Sequence, residues 1–171
     1  MLIQQKSGNL AEFKIGNRTV DILPLEWFEA NKRILHKRTQ VGREVILKFL
    51  NESQHLGQDD VLFQDENYLI VVDILPCEAI VIKPATMYQM AAVCYEIGNK
   101  HLPLFFVNEE LLIPYEAPIF RLLQAAGYRP VQEKRKITNQ MKTTISPHNH
   151  SKSSSESIFS KIMQLTSASN A

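Results

Sequence analysis

Residues 78–133 read EAIVIKPATMYQMAAVCYEIGNKHLPLFFVNEELLIPYEAPIFRLLQAAGYRPVQE. This stretch decides the fold, because its hydrophobic period changes in a fixed order. Glu78–Lys83 is a short apolar run with strand character. Pro84 stands near a helix start, and Met87, Met90, Cys94 and Ile97 recur at spacings of three and four, a helical stripe that Gly98 closes as a left-handed cap. Pro103–Val107 and Glu110–Ile113 are strands around an Asn108–Glu109 turn. Pro118 lies in the first turn of a second helix, whose buried face is Ile119, Leu122, Leu123 and Ala126 and whose end is Gly127. Tyr128–Glu133 is the last strand. The order β-α-β-β-α-β is that of a ferredoxin-like domain.

Upstream the period is two throughout. Val20, Ile22 and Leu25 open it, and RILHKRTQVGREVILKFL (33–50) has two β-rich arms around Thr39–Gly42, with glycine supplying the positive φ of a tight hairpin. Val61–Phe63 and Tyr68–Leu75 flank the polar turn 64–67. Short, regularly punctuated strands predict a small sandwich or barrel. Trp27 and Phe28 are expected to pack in its core or at its edge. Downstream, residues 139–171 hold nine serines in 33 positions, too polar for a core, apart from Ile158, Phe159, Ile162, Met163 and Leu165, which are spaced for two or three helical turns. The chain is therefore read as α+β. An all-β, partner-binding N-terminal domain (1–77) precedes a ferredoxin-like domain (78–138) and a flexible Ser-rich tail (139–171) with a His-x-His pair.

Composition narrows the function. With 19 basic and 18 acidic residues in 171, the net charge is +1, and 44% apolar with 22% charged is an ordinary globular balance. That excludes a disordered chain and a disulfide scaffold, and lacks the basic excess of a nucleic-acid binder. Residues 1–77, 78–143 and 144–171 are each close to neutral as well, at −2, +2 and +1. Two lone cysteines, Cys77 and Cys94, with no CxxC, fit a reducing compartment and offer no thiolate zinc site. The first residues lack a signal-peptide core, and the longest apolar runs, such as 69–72, are far too short for a bilayer, so a cytoplasmic location is expected.

No GxxxxGK[ST], GxGxxG or G-x-S-x-G is present. The pairs Asp59–Asp60 and Glu109–Glu110 read as solvated turn carboxylates, and Lys134–Arg135–Lys136 as a solvated strand end. Phe105 and Phe106 are adjacent on a strand, so one faces the helices and the other the opposite face; the glycines and flanking basic residues of an RNA-recognition strand are missing. His36 reads as a strand surface residue and His55 as a loop residue. His101, His148 and His150 read individually as weak signals. Together they are sharper. Imidazole suits Ni(II), Cu(II) and Zn(II). A two-fold dimer doubles any group near its axis, so two His101 side chains could share one metal while the tail pair closes over it. Such a site, exposed and free of thiolate, suits a metal that is handed on. It weakens as pH falls, because imidazole binds metal as the neutral base.

The sequence Cys94–Leu104, CYEIGNKHLPL, resembles the G-N-R-H-x-P-L signature of the UreE urease accessory protein family. Leu112–Glu116 followed by Leu122–Leu123 and Ala126–Tyr128 resembles that family's I-P-Y-[DE]…L-L…L-G segment. Arg38–Val45 resembles its R-x-x-T-x-x-G-[RK]-x hairpin, and Leu56–Leu62 its L-x-x-G-D-V-L segment. The resemblance runs from about residue 20 to 130. It implies a homodimer that binds Ni(II) as cargo through His101, with His148 and His150 as further ligands and Zn(II) or Cu(II) as competitors. It implies delivery to apo-urease together with other urease accessory proteins, including a GTPase, and no enzymatic activity of its own. The chain departs from the pattern in carrying Lys100 where arginine is usual, and in having one His-x-His rather than a long histidine run.

Two competing readings predict different chemistry. A peptide- or RNA-binding adaptor with incidental metal affinity would bind without metal and in a salt-sensitive way. A metal-dependent hydrolase would need a carboxylate base beside the metal, for which Glu96 and Glu116 are nearest to the motifs.

Overall fold

The computed structural model describes residues 1–50 and 55–141. The N-terminal half forms two sheets. One has the order β1-β5-β4, from β1 (Leu2–Ile3), β4 (Ile34–Arg38) and β5 (Glu44–Lys48). The other has the order β2-β6-β7-β3, from β2 (Gly8–Asn9), β3 (Thr19–Leu25), β6 (Asp60–Gln64) and β7 (Tyr68–Ile74). Leu35, Val45 and Leu47 of the first sheet and Leu23, Leu25, Ile70, Val72 and Ile74 of the second bury one another in a single cluster. This is the expected sandwich. Local pattern did not reveal that β3 and β7 run parallel over seven residues, Thr19↔Tyr68 to Leu25↔Ile74. The intervening hairpin and β6 supply the crossover that parallel pairing requires.

The hairpin arms pair antiparallel as expected, and Gly42 has φ 91°. Its tip docks on the second sheet: the Gln40 N–H donates to the Ile22 carbonyl at 2.8 Å, and the Arg43 guanidinium reaches the buried Asp21 carboxylate at 2.8 Å while lying over the Tyr68 ring. Asp60, expected in solvent, is buried. Its Oδ2 accepts from the Gly57 N–H at 2.8 Å and from Lys6 Nζ at 3.1 Å, closing the 57–60 turn. A paired carboxylate is thereby kept inside at tolerable cost. Phe28 departs from expectation in the other direction and is half exposed.

The C-terminal half has the order β11-β8-β10-β9, every neighbour antiparallel, from β8 (Cys77–Ile82), β9 (Phe105–Val107), β10 (Glu110–Pro114) and β11 (Val131–Arg135). Helices α1 (Met87–Asn99) and α2 (Ala117–Ala125) join them, giving the expected split βαβ arrangement. Thr86 caps α1, its Oγ1 accepting from the Gln89 N–H, while Gln89 Oε1 accepts from the Ala85 N–H. Thr86 thus caps the helix, and Gln89 reaches one residue further back than in a capping box. The helix side of the sheet buries Ile80, Ile82, Leu111 and Ile113 against Val93, Ile97 and Leu123. Some helix faces differ from the expected ones. Met87 is fully out in solvent, and Val93 takes its place in the buried stripe; on α2, Phe120 packs inward and Leu122 is exposed. The last strand begins three residues later than expected, because Tyr128 packs on the helix-side core instead.

The other sheet face buries Ala79, Val81, Phe105 and Leu112 under Ile137, with Trp27 packed against them. The Trp27 and Phe105 rings meet edge-on at 5.7 Å. Phe105 and Phe106 do point to opposite faces, Phe105 buried and Phe106 partly exposed. Past β11 the chain stays attached. The Phe106 N–H donates to the Asn139 carbonyl at 3.0 Å, and the Met141 N–H donates to the Leu104 carbonyl at 2.8 Å. Asn31 Nδ2 donates to Gln140 Oε1 at 3.0 Å, and Lys136 pairs with Asp73.

Candidate metal centre

His101 stands at the C-terminal end of α1. The sequence places the left-handed residue at Gly98, but Gly98 is helical, the helix runs on to Asn99, and Lys100 is its cap. The left-handed residue is His101 itself, with φ 54°. Its N–H donates to the Gly98 carbonyl at 3.0 Å, and the Lys100 and Leu102 N–H groups both donate to the Ile97 carbonyl, at 3.1 and 3.4 Å. Ile97 is fully buried, and Leu102 packs on the same cluster, so the turn is anchored on both sides. A non-glycine residue in this region carries strain and persists only where its surroundings fix it. The consequence is geometric: the imidazole projects from the surface on a defined backbone. His101 is exposed, and among the described residues it makes no side-chain hydrogen bond or ion pair. It also sits at the negative end of the α1 dipole, which favours a cation there by about 0.3–1 kcal/mol.

Other metal-ligating side chains lie elsewhere. His36 is exposed on β4, opposite Ile46 of β5. His55 is an exposed loop residue, as expected, with its ring hydrogen-bonded to Asn31. His148 and His150 fall outside the described residues. Burial pushes the Cys94 thiol above its usual value, and burial followed by the Glu26 charge does the same to Cys77, so neither is a ready thiolate. Among the described residues no three His, Cys, Asp or Glu side chains converge on a common point, Glu96 and Glu116 included. His101 is thus an exposed imidazole at a helix end, with no second candidate ligand converging on it among the described residues.

Sequence reasoning missed the chain path that leads to this end. Met141, where the described chain stops, is hydrogen-bonded three residues from His101. The only signal for it is Ile137, an isolated apolar residue after the charged 133–136 run that proves to be fully buried. The basic cluster also differs from expectation. Arg135 bonds Glu110 at 2.8 Å and Glu133 at 2.9 Å, and Lys83 bonds Glu110 at 2.7 Å, so Glu110 ties three strand ends together instead of lying free in a turn. Lys83, followed by Arg135, holds the Glu110 carboxyl below its usual range, against an opposing effect of burial.

The buried Phe105 removes the stacking platform that an RNA-binding sheet would need. Among the described residues no helix is long and apolar enough to cross a membrane.

Comparison with known proteins is consistent along the chain. The family described as UreE urease accessory protein, N-terminal domain, matches residues 3–75, and its C-terminal domain matches residues 78–158. A urease accessory protein UreE of Flavobacterium johnsoniae is 50% identical over 165 residues, 96% of this chain and 99% of the relative. One from Actinobacillus pleuropneumoniae is 45% identical over 139 residues, covering 79% and 74% of the two chains. One from Acetivibrio thermocellus is 35% identical over 153 residues, covering 90% and 99%. With both halves matched in order, on the fold and around the exposed histidine described above, the chain belongs to the UreE family of urease accessory proteins.

Proposed function

We propose that this protein is a nickel carrier for urease maturation. Two copies hold one Ni(II) between their His101 side chains and release it to apo-urease with the help of further accessory proteins, a GTPase among them. As a member of an accessory-protein family it is not an enzyme, and the work is binding and release. The observation that carries the reading is the exposed, unpaired His101 imidazole on a left-handed backbone held from both sides. A single imidazole holds a metal weakly, and a second copy supplies the missing partner. The tail supplies the rest. A chain spans at most about 3.6 Å per residue, so Leu104 lies within about 11 Å of His101, and His148 ranges about 25 Å from Met141. Because Met141 is bonded to Leu104, those reaches overlap. A site of imidazoles without thiolate selects weakly among Ni(II), Zn(II) and Cu(II), and it gives up its metal without breaking a metal–sulfur bond. The neutral overall charge fits a cytoplasmic carrier with no nucleic-acid partner.

The test is a calorimetric titration of Ni(II) into wild type, His101→Ala and a chain truncated after Thr144. His101→Ala is expected to lose the tight site, and the truncated chain to keep it with lower affinity and poorer competition against Zn(II). Unchanged affinity in His101→Ala would overturn the reading. Unchanged affinity and competition in the truncated chain would remove His148 and His150 from the ligand set.

A further inference from the structure

Residues 136–141 follow β11 and belong to no helix or strand, yet they touch both halves of the chain. On the side of the N-terminal half, Lys136 pairs with Asp73 of β7, which also accepts from Gln58 Nε2 at 2.9 Å, and Gln140 Oε1 accepts from Asn31 Nδ2 at 3.0 Å. On the side of the C-terminal half, Ile137 is buried with Ala79, Val81, Phe105 and Leu112. Beyond it the chain lies along β9 as a short strap. Gln140 stands opposite Phe105, the Phe106 N–H donates to the Asn139 carbonyl, and the Met141 N–H donates to the Leu104 carbonyl. These contacts differ in strength. Ile137 is fixed by apolar burial. The strap itself has two ladder bonds at the edge of a three-residue strand, residues 138–140 are polar, and Met141 is half exposed. Bonds of that kind open locally at little cost. What steadies the strap is therefore the pair of side-chain ties to Asn31 and Asp73, both in the N-terminal half.

We propose that Asn31 and Asp73 are positioning residues for the metal centre: they hold the strap on the edge of β9, and through it hold the start of the tail within reach of His101. The proposal rests on the reading of His101, His148 and His150 as ligands, and gives the N-terminal half a part in that site. Tether length sets the size of the effect. With Met141 held, His148 is seven residues from its anchor; with the strap free, the anchor retreats to Ile137, eleven residues away. The effective concentration of a tethered group falls roughly as the −3/2 power of tether length, so length alone removes about twofold for each tail. Two tails acting on one metal make that about fourfold, and moving the start of the tail away from Leu104 adds to it. Both ties are polar and reach the solvent, Asn31 and Lys136 being exposed, so water replaces them readily when the strap lets go.

The experiment is a thermodynamic cycle. Ni(II) is titrated into the full chain and into the chain truncated after Thr144, each with and without the pair Asn31→Ala and Lys136→Ala, and amide exchange is followed at Phe106 and Met141. Both substitutions are at exposed positions and leave Trp27 and Ile137 in place, so the variant folds, which thermal melts check. Exchange at the two amides is expected to quicken about three- to tenfold, the loss of two weak ties. Nickel affinity is expected to fall about three- to tenfold in the full chain and to stay unchanged in the truncated one. An equal fall at both lengths would show that the ties act on the fold and not on the tail, and would overturn the proposal. So would unchanged exchange, or an unchanged full-chain affinity where truncation does weaken binding; either leaves the His101 reading standing. Truncation without any effect on nickel would overturn this proposal together with the place of His148 and His150 in the ligand set, while loss of the tight site in His101→Ala would still uphold the shared histidine.

Discussion

Among single residues, the recurring motifs divide into those used up by the fold and one that is not. Thr39, Gly42 and Arg43 build and dock the hairpin tip: Thr39 Oγ1 accepts from the Arg43 N–H, and Arg43 holds Asp21. Gly57 and Asp60 close their own turn. Glu116 stands at the N-cap position of α2 without a side-chain capping bond, and Pro118 lies in its first turn. The residues Gly98, Asn99, Lys100 and His101 are all exposed, with no side-chain partner for the last three among the described residues. A motif whose side chains the fold does not use is left for a ligand or a partner. The β9–β10 turn shows a different residue-scale effect. Asn108 and Glu109 have φ of 49° and 65°, a two-residue hairpin in which asparagine is at home and glutamate is strained. Replacing Glu109 with glycine is expected to stabilise the protein by about 1 kcal/mol, read as a higher denaturant midpoint at unchanged slope. A lower midpoint would show that the glutamate side chain contributes more than its backbone strain costs.

At the scale of elements, period and punctuation carried most of the information. The βαββαβ order followed from alternation giving way to a 3.6-residue stripe between prolines and glycines, and the sheet order bears it out. What stayed hidden has physical causes. The parallel pairing of β3 with β7 is a non-local choice that no local pattern records. The end of α1 departs from the sequence expectation because glycine usually marks the left-handed position, whereas here a histidine takes it and the glycine stays helical. Asp60 and Glu110 look like turn carboxylates in sequence, since sequence alone does not show that Lys6, Lys83 and Arg135 arrive from distant elements.

The Glu110 junction has a pH signature. Its carboxyl titrates below the usual 4.5 in the folded state. A depressed carboxylate stabilises the fold at pH values above its unfolded value, and that contribution disappears as pH falls through the lower folded value. Thermal midpoints measured from pH 6 to pH 3 are expected to fall less steeply for Glu110→Gln than for wild type. Glu29, held down by Lys37 against burial, and Asp73, held down by Lys136 against burial, keep some slope in both. Identical slopes in the two proteins would remove Glu110 from the acid sensitivity.

For the whole molecule, Trp27 packs against both the sandwich core and the strand face of the ferredoxin-like half, and the chain beyond β11 is stitched to the edge of β9. The stitching bonds Met141 to Leu104, three residues from His101, a relation between distant positions that composition could not reveal. Net charge agrees at this scale: neither half has a field strong enough to steer a ligand, which suits the proposed short-range ligation of Ni(II) at His101. The most direct measurement of that claim is native mass spectrometry of the full chain with Ni(II) added below one equivalent per two chains. Nickel on the dimer, absent from the monomer and absent from a His101→Ala dimer, is the expected result. Nickel carried by the monomer, or at equal occupancy on the His101→Ala dimer, would contradict it.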